Sequence, residues 1–401
     1  MLHLIVALLV VAALAPAAAL AGGPAATRAV LASQMRSAGG GSGALAVDLD
    51  SGRQIYGSRA DTARTPASVN KLFTTATALT LYGADGHLTT RALGDVGVDP
   101  GGVLIGNLYL RGGGDPSFGS RQAAALADRL VLDEGLREVT GRVIGDETAF
   151  DSLRGPPSEG YRTTFEVGPL SALTFNRGRS GKRRPYFQVN PARFAAREFD
   201  RALRRRGVVT GAAPRSGRTP KAALSLSEHS SPTIAALAQV TNRPSDNFNA
   251  ETLIKALGSE FGTAGSTRAG SVVVTRTMAG FGLRPRVIDG SGLSRANRTT
   301  PRQVVRLLDH MASETSGPAF ETSLAVAGRN GTLFDRMRAS VARDRCQAKT
   351  GTLNSVSALA GYCRTTSGPR VAFAFLMNGV NVYGARRLQD RMVSALARYS
   401  P

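Results

Sequence analysis

Histidine is scarce in this chain, with four residues in 401. None stands in a His-Glu-x-x-His spacing, so no metal site is expected. The Gly-x-Ser-x-Gly elbow is also missing, which leaves a Ser-His-Asp triad without support. His87, His229 and His310 therefore read as surface or structural residues. Tryptophan is absent, and no aromatic platform or nucleic-acid motif accompanies the basic residues. Nucleic acid is not an expected partner, and no cofactor is expected either. Acidic residues are the minority, 29 against 50 basic, for a net charge of +21. That charge draws polyanions from a distance. Its densest runs, 177–184 and 201–206, read as a solvated loop and a helix surface.

Long apolar runs are missing beyond the first residues. Leu4 to Leu14 is apolar, Pro16 breaks it, and Ala19-Leu20-Ala21 offers a small-x-small cleavage site before Gly22-Gly23. Residues 1–21 read as a signal peptide, although the n-region has His3 and no Lys or Arg. The run is short for a stable membrane anchor; an uncleaved anchor is the alternative. The mature chain is expected to be exported, to the periplasm or the extracytoplasmic wall space. There its charge would meet anionic wall polymers or a membrane surface. Two cysteines suit an oxidising compartment. Cys346 and Cys363 are equidistant from the pair Asn354-Ser355, so on a hairpin they would face each other as a disulfide. Two buried free thiols are the alternative.

The length exceeds one ordinary domain. Residues 44–48 and 54–56 read as a hairpin, and Pro66 opens a helix that Gly83 stops near Tyr82. From His87 to Glu228 the texture changes to short strand-like runs, Gly/Pro turns and a helix near 120–134. This stretch, 87–228, reads as an inserted accessory domain. Residues 22–86 and 229–401 then form one domain, with helices at 232–241, 249–257, 301–311 and 385–399. Strands are expected at 345–350, 357–364 and 370–378, giving a sheet closed by both ends of the chain.

Three short motifs carry the chemistry. Ser68-Val69-Asn70-Lys71 opens the predicted helix, and residues three apart share a face. The lysine amine can then take the serine proton if burial lowers its pKa. The helix N-terminus favours a developing oxyanion. Ser245-Asp246-Asn247 follows Pro244 and precedes a helix; its serine can relay a proton and its amide can bind a substrate amide. Lys349-Thr350-Gly351-Thr352 lies on a predicted strand. Gly351 would admit a substrate backbone, Lys349 supplies a second cation, and the threonine hydroxyls suit a carboxylate. Each motif alone is weak or moderate. Their joint occurrence is not, because two of only five lysines fall within them.

The set resembles the penicillin-binding proteins and serine β-lactamases, and more narrowly the class C low-molecular-mass penicillin-binding proteins, the D-alanyl-D-alanine carboxypeptidase/endopeptidase family. Further matching stretches are Gly112-Gly113-Gly114-Asp115-Pro116, Gly145-Asp146-Glu147, Asp289 to Arg295 and Gly331-Thr332-Leu333. The resemblance implies an α/β (α+β) transpeptidase fold, a five-stranded antiparallel sheet flanked by helices, with an inserted mixed domain. It implies peptidoglycan stem peptides ending in D-Ala-D-Ala as substrates and β-lactams as covalent inhibitors. Ser68 would be the nucleophile, Lys71 the base, Ser245 a proton relay and Asn247 a ligand of the substrate amide. Lys349 would set the field, Thr350 and Thr352 would hold the terminal carboxylate, and the N–H groups of Ser68 and Thr352 would form the oxyanion hole. The stretch between Ser68 and Ser245 is shorter than the family leads one to expect, consistent with one full inserted domain.

Two rival readings differ in class. A β-lactamase of the compact kind needs a deacylating glutamate soon after Ser-Asp-Asn, and none stands in a Glu-x-x-Leu-Asn context. A non-catalytic wall-binding scaffold would have no need of both lysines.

Overall fold

The computed structural model describes residues 22–181 and 186–401. The signal-peptide reading of 1–21 and the end of the basic run at 177–184, residues 182–184, lie outside the described residues.

Strands from both ends of the chain build the first sheet. Its order is Ala325–Val326, Cys346–Leu353, Val356–Arg364, Arg370–Asn378, Ser42–Asp48 and Gln54–Ser58. Every neighbouring pair is antiparallel. Successive side chains of a strand point to opposite faces. Phe373, Phe375 and Met377 accordingly meet Leu31, Met35, Met392 and Leu396 of helices Pro24–Ser37 and Val382–Ala397. Ala372, Ala374 and Leu376 face the other way, toward Val304, Leu308 and Met311 of helix Pro301–Ser313 and Phe73 of helix Lys71–Tyr82. Both faces are covered, which is why the central strands 356–364 and 370–378 carry the continuous apolar runs 358–363 and 371–377. The N-terminal hairpin joins this sheet beside the C-terminal strand, with Ser42 opposite Met377. The sheet has six strands where five were expected, because the two-residue strand Ala325–Val326 adds to the edge at Gln347 and Ala348.

Residues 89–230 form a second sheet. Strands Leu224–Ser230, Thr89–Gly94, Leu108–Gly112, Glu138–Asp146 and Val103–Leu104 lie in that order, and Val209–Ser216 pairs with Glu138–Asp146. Three of its pairings are parallel, made by crossovers through helices Ser120–Leu132 and Pro191–Arg204. Their apolar faces, Leu126, Leu130, Phe199 and Leu203 among them, fill a core with Leu108, Leu110 and Val143. The first and last strands of this sheet are hydrogen-bonded neighbours. The chain therefore leaves and re-enters the first unit at adjacent points. The predicted strand 104–111 is interrupted at Gly106, whose φ of +108° lies in the region that favours glycine.

Helices Ile234–Asn242, Asn247–Phe261 and Thr267–Gly280 complete the first unit around the buried helix Lys71–Tyr82. Helices 24–37, 267–280 and Gly317–Thr322 were not anticipated from the sequence, and of helix 191–204 only the basic surface at 201–206 was read as helical.

Candidate active site

The serine is presented by a short 3-10 turn, Ala67–Asn70, that runs directly into helix Lys71–Tyr82. Ala67 takes φ +47°, uncommon for a residue with a Cβ. Three contacts hold that conformation. Asn378 mimics a strand partner of Thr65, accepting from its N–H and donating to its carbonyl at 3.0 Å each. The buried Arg64 guanidinium donates to the carbonyls of Gly41, Ser42, Arg59 and Thr62. Gly292, at φ +85°, lies against the Ala67 carbonyl, where an added Cβ would sit 2.0 Å away.

Lys71 is fully buried and its Nζ has three acceptors: Ser68 Oγ at 2.9 Å, Asn247 Oδ1 at 2.7 Å and the Ser291 carbonyl at 2.7 Å. An ammonium fills all three. A neutral amine has two N–H groups and a lone pair, and Asn247 Oδ1 and Ser291 O can only accept. The lone pair is then left for the Ser68 hydroxyl. The same logic orients Asn247: its oxygen faces the amine, so its NH₂ is free for another acceptor. Burial lowers the Lys71 pKa to about 8, against the pull of Asp289, Glu251, Asp246 and Glu166. Burial and then the Asp289 charge push Glu251 up to about 8, with Ser291 and Lys71 opposing. Asp289 is also raised by burial, although Asn297, Ser294 and Gly292 donate to it. Lys349, fully buried, is held well below an ordinary lysine by burial and by the neighbouring Lys71.

The run Asp289 to Arg295, a matching stretch to which no site role was given, lies on the site itself. Asn70 donates to the Asp289 carbonyl and Thr74 to the Gly290 carbonyl, docking the turn on the segment that carries Ser68 and Lys71. Ser291 bridges the centre, its carbonyl on Lys71 and its N–H on Glu251 Oε1 at 2.8 Å.

Ser245 sits at φ +65° just before helix Asn247–Phe261, which Asp246 caps through the Asn249 N–H. It faces the same cleft as Ser68, although among the described residues no side-chain hydrogen bond joins it to Ser68 or to either lysine. Asp246 pairs with Arg177 at 2.6 Å, and that guanidinium lies 4.9 Å from the centre of the Phe248 ring. Arg177 had been assigned to a solvated loop. It comes from the 89–230 region, so no local pattern could have indicated this contact.

Strand Cys346–Leu353 forms the opposite wall. Lys349 Nζ donates to the Thr350 carbonyl, and Thr350 Oγ1 donates to Thr332 Oγ1 at 2.8 Å. Gly351 was expected to make room for a substrate backbone. The neighbour it accommodates here is the chain itself: an added Cβ would lie 2.6 Å from the Pro66 carbonyl. That closeness seats the strand against the turn that carries Ser68. Cys346 and Cys363 face each other across strands 346–353 and 356–364 and are joined as a disulfide. Between the walls lies a cleft of about 480 Å³ lined by Ser68, Ser245, Thr332, Thr350, Thr352 and Arg386. Among the described residues no group of His, Cys, Asp and Glu is arranged to hold a metal ion.

An antiparallel sheet with a Ser-Lys pair at the helix start beneath the strand that carries Lys-Thr-Gly is the architecture of the penicillin-recognising serine enzymes. The sequence profile of the D-Ala-D-Ala carboxypeptidase 3 (S13) family matches residues 28–182 and 181–399. Among curated relatives, the D-alanyl-D-alanine carboxypeptidase of Actinomadura sp. (strain R39) is 29% identical over 441 residues, covering 90% of this chain and 81% of the relative. Carboxypeptidase DacB of Mycolicibacterium smegmatis is 28% identical, covering 87% of this chain and 78% of its own length. The crystal structure of penicillin binding protein 4 from Haemophilus influenzae superposes with a TM-score of 0.77 at 21% identity, over 90% of this chain and 97% of that one. The chain belongs to the D-Ala-D-Ala carboxypeptidase 3 (S13) family, a class C low-molecular-mass penicillin-binding protein. Its activity is that of a serine-type D-Ala-D-Ala carboxypeptidase acting on peptidoglycan stem peptides.

Proposed function

We propose that Ser68 is the acylating nucleophile and that neutral Lys71 is its base. The observation that carries this reading is the Lys71 amine, 2.9 Å from Ser68 Oγ with both its other acceptors fixed. The Ser68 proton passes to Lys71 as Oγ bonds to the carbonyl carbon of the penultimate D-Ala. The tetrahedral oxyanion is stabilised by the N–H groups of Ser68 and Thr352. Its collapse breaks the C–N bond, and the departing D-Ala amine receives its proton through Ser245. Water then cleaves the ester and restores Ser68. Asn247 binds the substrate amide through its free NH₂. Lys349 supports the site from behind, and Thr350, Gly351 and Thr352 hold the end of the substrate. β-Lactams stop at the ester stage.

Residues 22–86 and 229–401 form the peptidase domain, and 87–228 an inserted accessory domain. The adjacency of strands 89–94 and 224–230 supports that division. The protein works outside the cytoplasm after removal of 1–21, and its net charge of +21 favours anionic wall polymers or a membrane surface. Among the described residues no helix is long and apolar enough to cross a membrane. The test is D-alanine release from an N-acyl-D-Ala-D-Ala peptide. Wild type releases one D-alanine per peptide, and Ser68→Ala and Lys71→Ala release none above background. Release by folded Ser68→Ala at the wild-type rate refutes the assignment.

A further inference from the structure

We infer that Arg386, from the first turns of helix Val382–Ala397, is the cation that reads the free carboxylate at the end of the substrate. This inference rests on the proposed role of the Ser68 cleft and deepens it. Arg386 lines that cleft with Ser68, Thr350 and Thr352, and its Nη2 donates to Thr352 Oγ1 at 3.2 Å. The other cations of the site are committed elsewhere. Lys71 and Lys349 are fully buried and hydrogen-bonded to their own chain. Arg336, which also lines the cleft, is bound to Asp390 at 2.6 Å and to Gln389. Arg386 makes no ion pair with any described carboxylate. The one acidic side chain of the cleft, Asp335, is turned to Arg338 at 3.4 Å.

The position of Arg386 is built in. Arg336 also donates to the Arg386 carbonyl at 3.3 Å, and Gln389 donates to Ser357 Oγ at 3.1 Å. Ser357 is the strand partner of Thr352. The helix is thereby pinned to the hairpin beside the threonines, and the ring of Tyr383 lies 5.8 Å from the guanidinium. Hydroxyls alone offer a carboxylate neutral hydrogen bonds. A guanidinium adds charge and a planar fork that matches it. Arg386 therefore acts on specificity, separating a peptide with a free terminal carboxylate from one whose end is blocked.

The test uses two N-acyl-D-alanine thioesters whose leaving groups end in a carboxylate or in a carboxamide. Thioesters are reactive enough for both to be turned over. Wild type should prefer the carboxylate form. Arg386→Ala should lose about tenfold in kcat/KM on that form, the scale of one half-exposed charged hydrogen bond, and stay within about twofold on the carboxamide. Arg386→Lys should fall between. Equal losses on both thioesters, no loss on either, or no wild-type preference would overturn the inference. Failure of wild type to form any acyl-enzyme by intact mass would instead remove the functional reading beneath it, an outcome that the same samples distinguish.

Discussion

At pH 7 an ordinary lysine, with a pKa of 10.5, is neutral in about one copy in three thousand; at about 8 it is neutral in about one copy in ten. The gain in available base is roughly 300-fold, or about 3.4 kcal/mol. Burial is its cause, because the other influences on Lys71 are carboxylates that raise the value. Folded Lys71 has a depressed pKa, so the active neutral form accumulates as pH rises through about 8 and is lost below it. The rate of acylation by a fluorescent penicillin should thus climb about tenfold per pH unit below 8 and level off above it. Glu251→Gln refines the test. The amide oxygen can keep the Ser291 N–H bond, while one source of negative charge is gone. The ascending limb should move to lower pH. Because Glu251 itself sits at about 8 beside Lys71, the wild-type limb belongs to the pair rather than to one residue. Stopped-flow acylation from pH 6 to 9.5, with folding checked by circular dichroism, reads all of this. A flat profile, a limb near 10.5, or an upward shift in Glu251→Gln would refute the reasoning.

Three further outcomes are expected. Gly292→Ala puts a Cβ at 2.0 Å from the Ala67 carbonyl at φ +85°, so Ser68 must shift; acylation should fall about tenfold or more, and stability by about 1–3 kcal/mol in a denaturant titration. Arg177→Ala frees Asp246 beside Asn247 and should slow acylation several-fold, yet change stability by less than about 1 kcal/mol, since the pair is partly exposed. Replacing Cys346 and Cys363 by serine opens a loop with a sequence separation of 17 and should cost about 3 kcal/mol, seen as a lower Tm that reducing agent no longer changes.

The elements that dominate the fold were readable because their patterns are local. Residues 358–363 and 371–377 are unbroken apolar runs, and Pro66 and Gly83 punctuate the helix that follows Ser68. Helix Thr267–Gly280 was missed because Gly270 and Gly280 and a run of Thr, Ser and Val argue against helix; close packing on Ile254 overrides that propensity, since a Cβ at Gly270 would meet the Ile254 carbonyl at 1.8 Å. Of helix Pro191–Arg204 only the basic end at 201–206 was read, as a helix surface; its start at Pro191 was not. The Ser-Lys, Ser-Asp-Asn and Lys-Thr-Gly motifs marked where the cleft would be. They did not show that Ser291 would hold Lys71, that Arg177 would reach Asp246, or that Arg386 would stand over Thr352. Each of these is a contact across more than thirty residues of sequence, made by folding rather than by spacing.

The central claim is that Ser68 carries the acyl group. Its most direct measurement is intact mass of the mature protein after exposure to benzylpenicillin, beside Ser68→Ala, followed by peptide mapping. One adduct per chain on wild type, mapped to Ser68 and absent from the folded variant, is the predicted result. An adduct retained by Ser68→Ala, or none on folded wild type, would contradict the account.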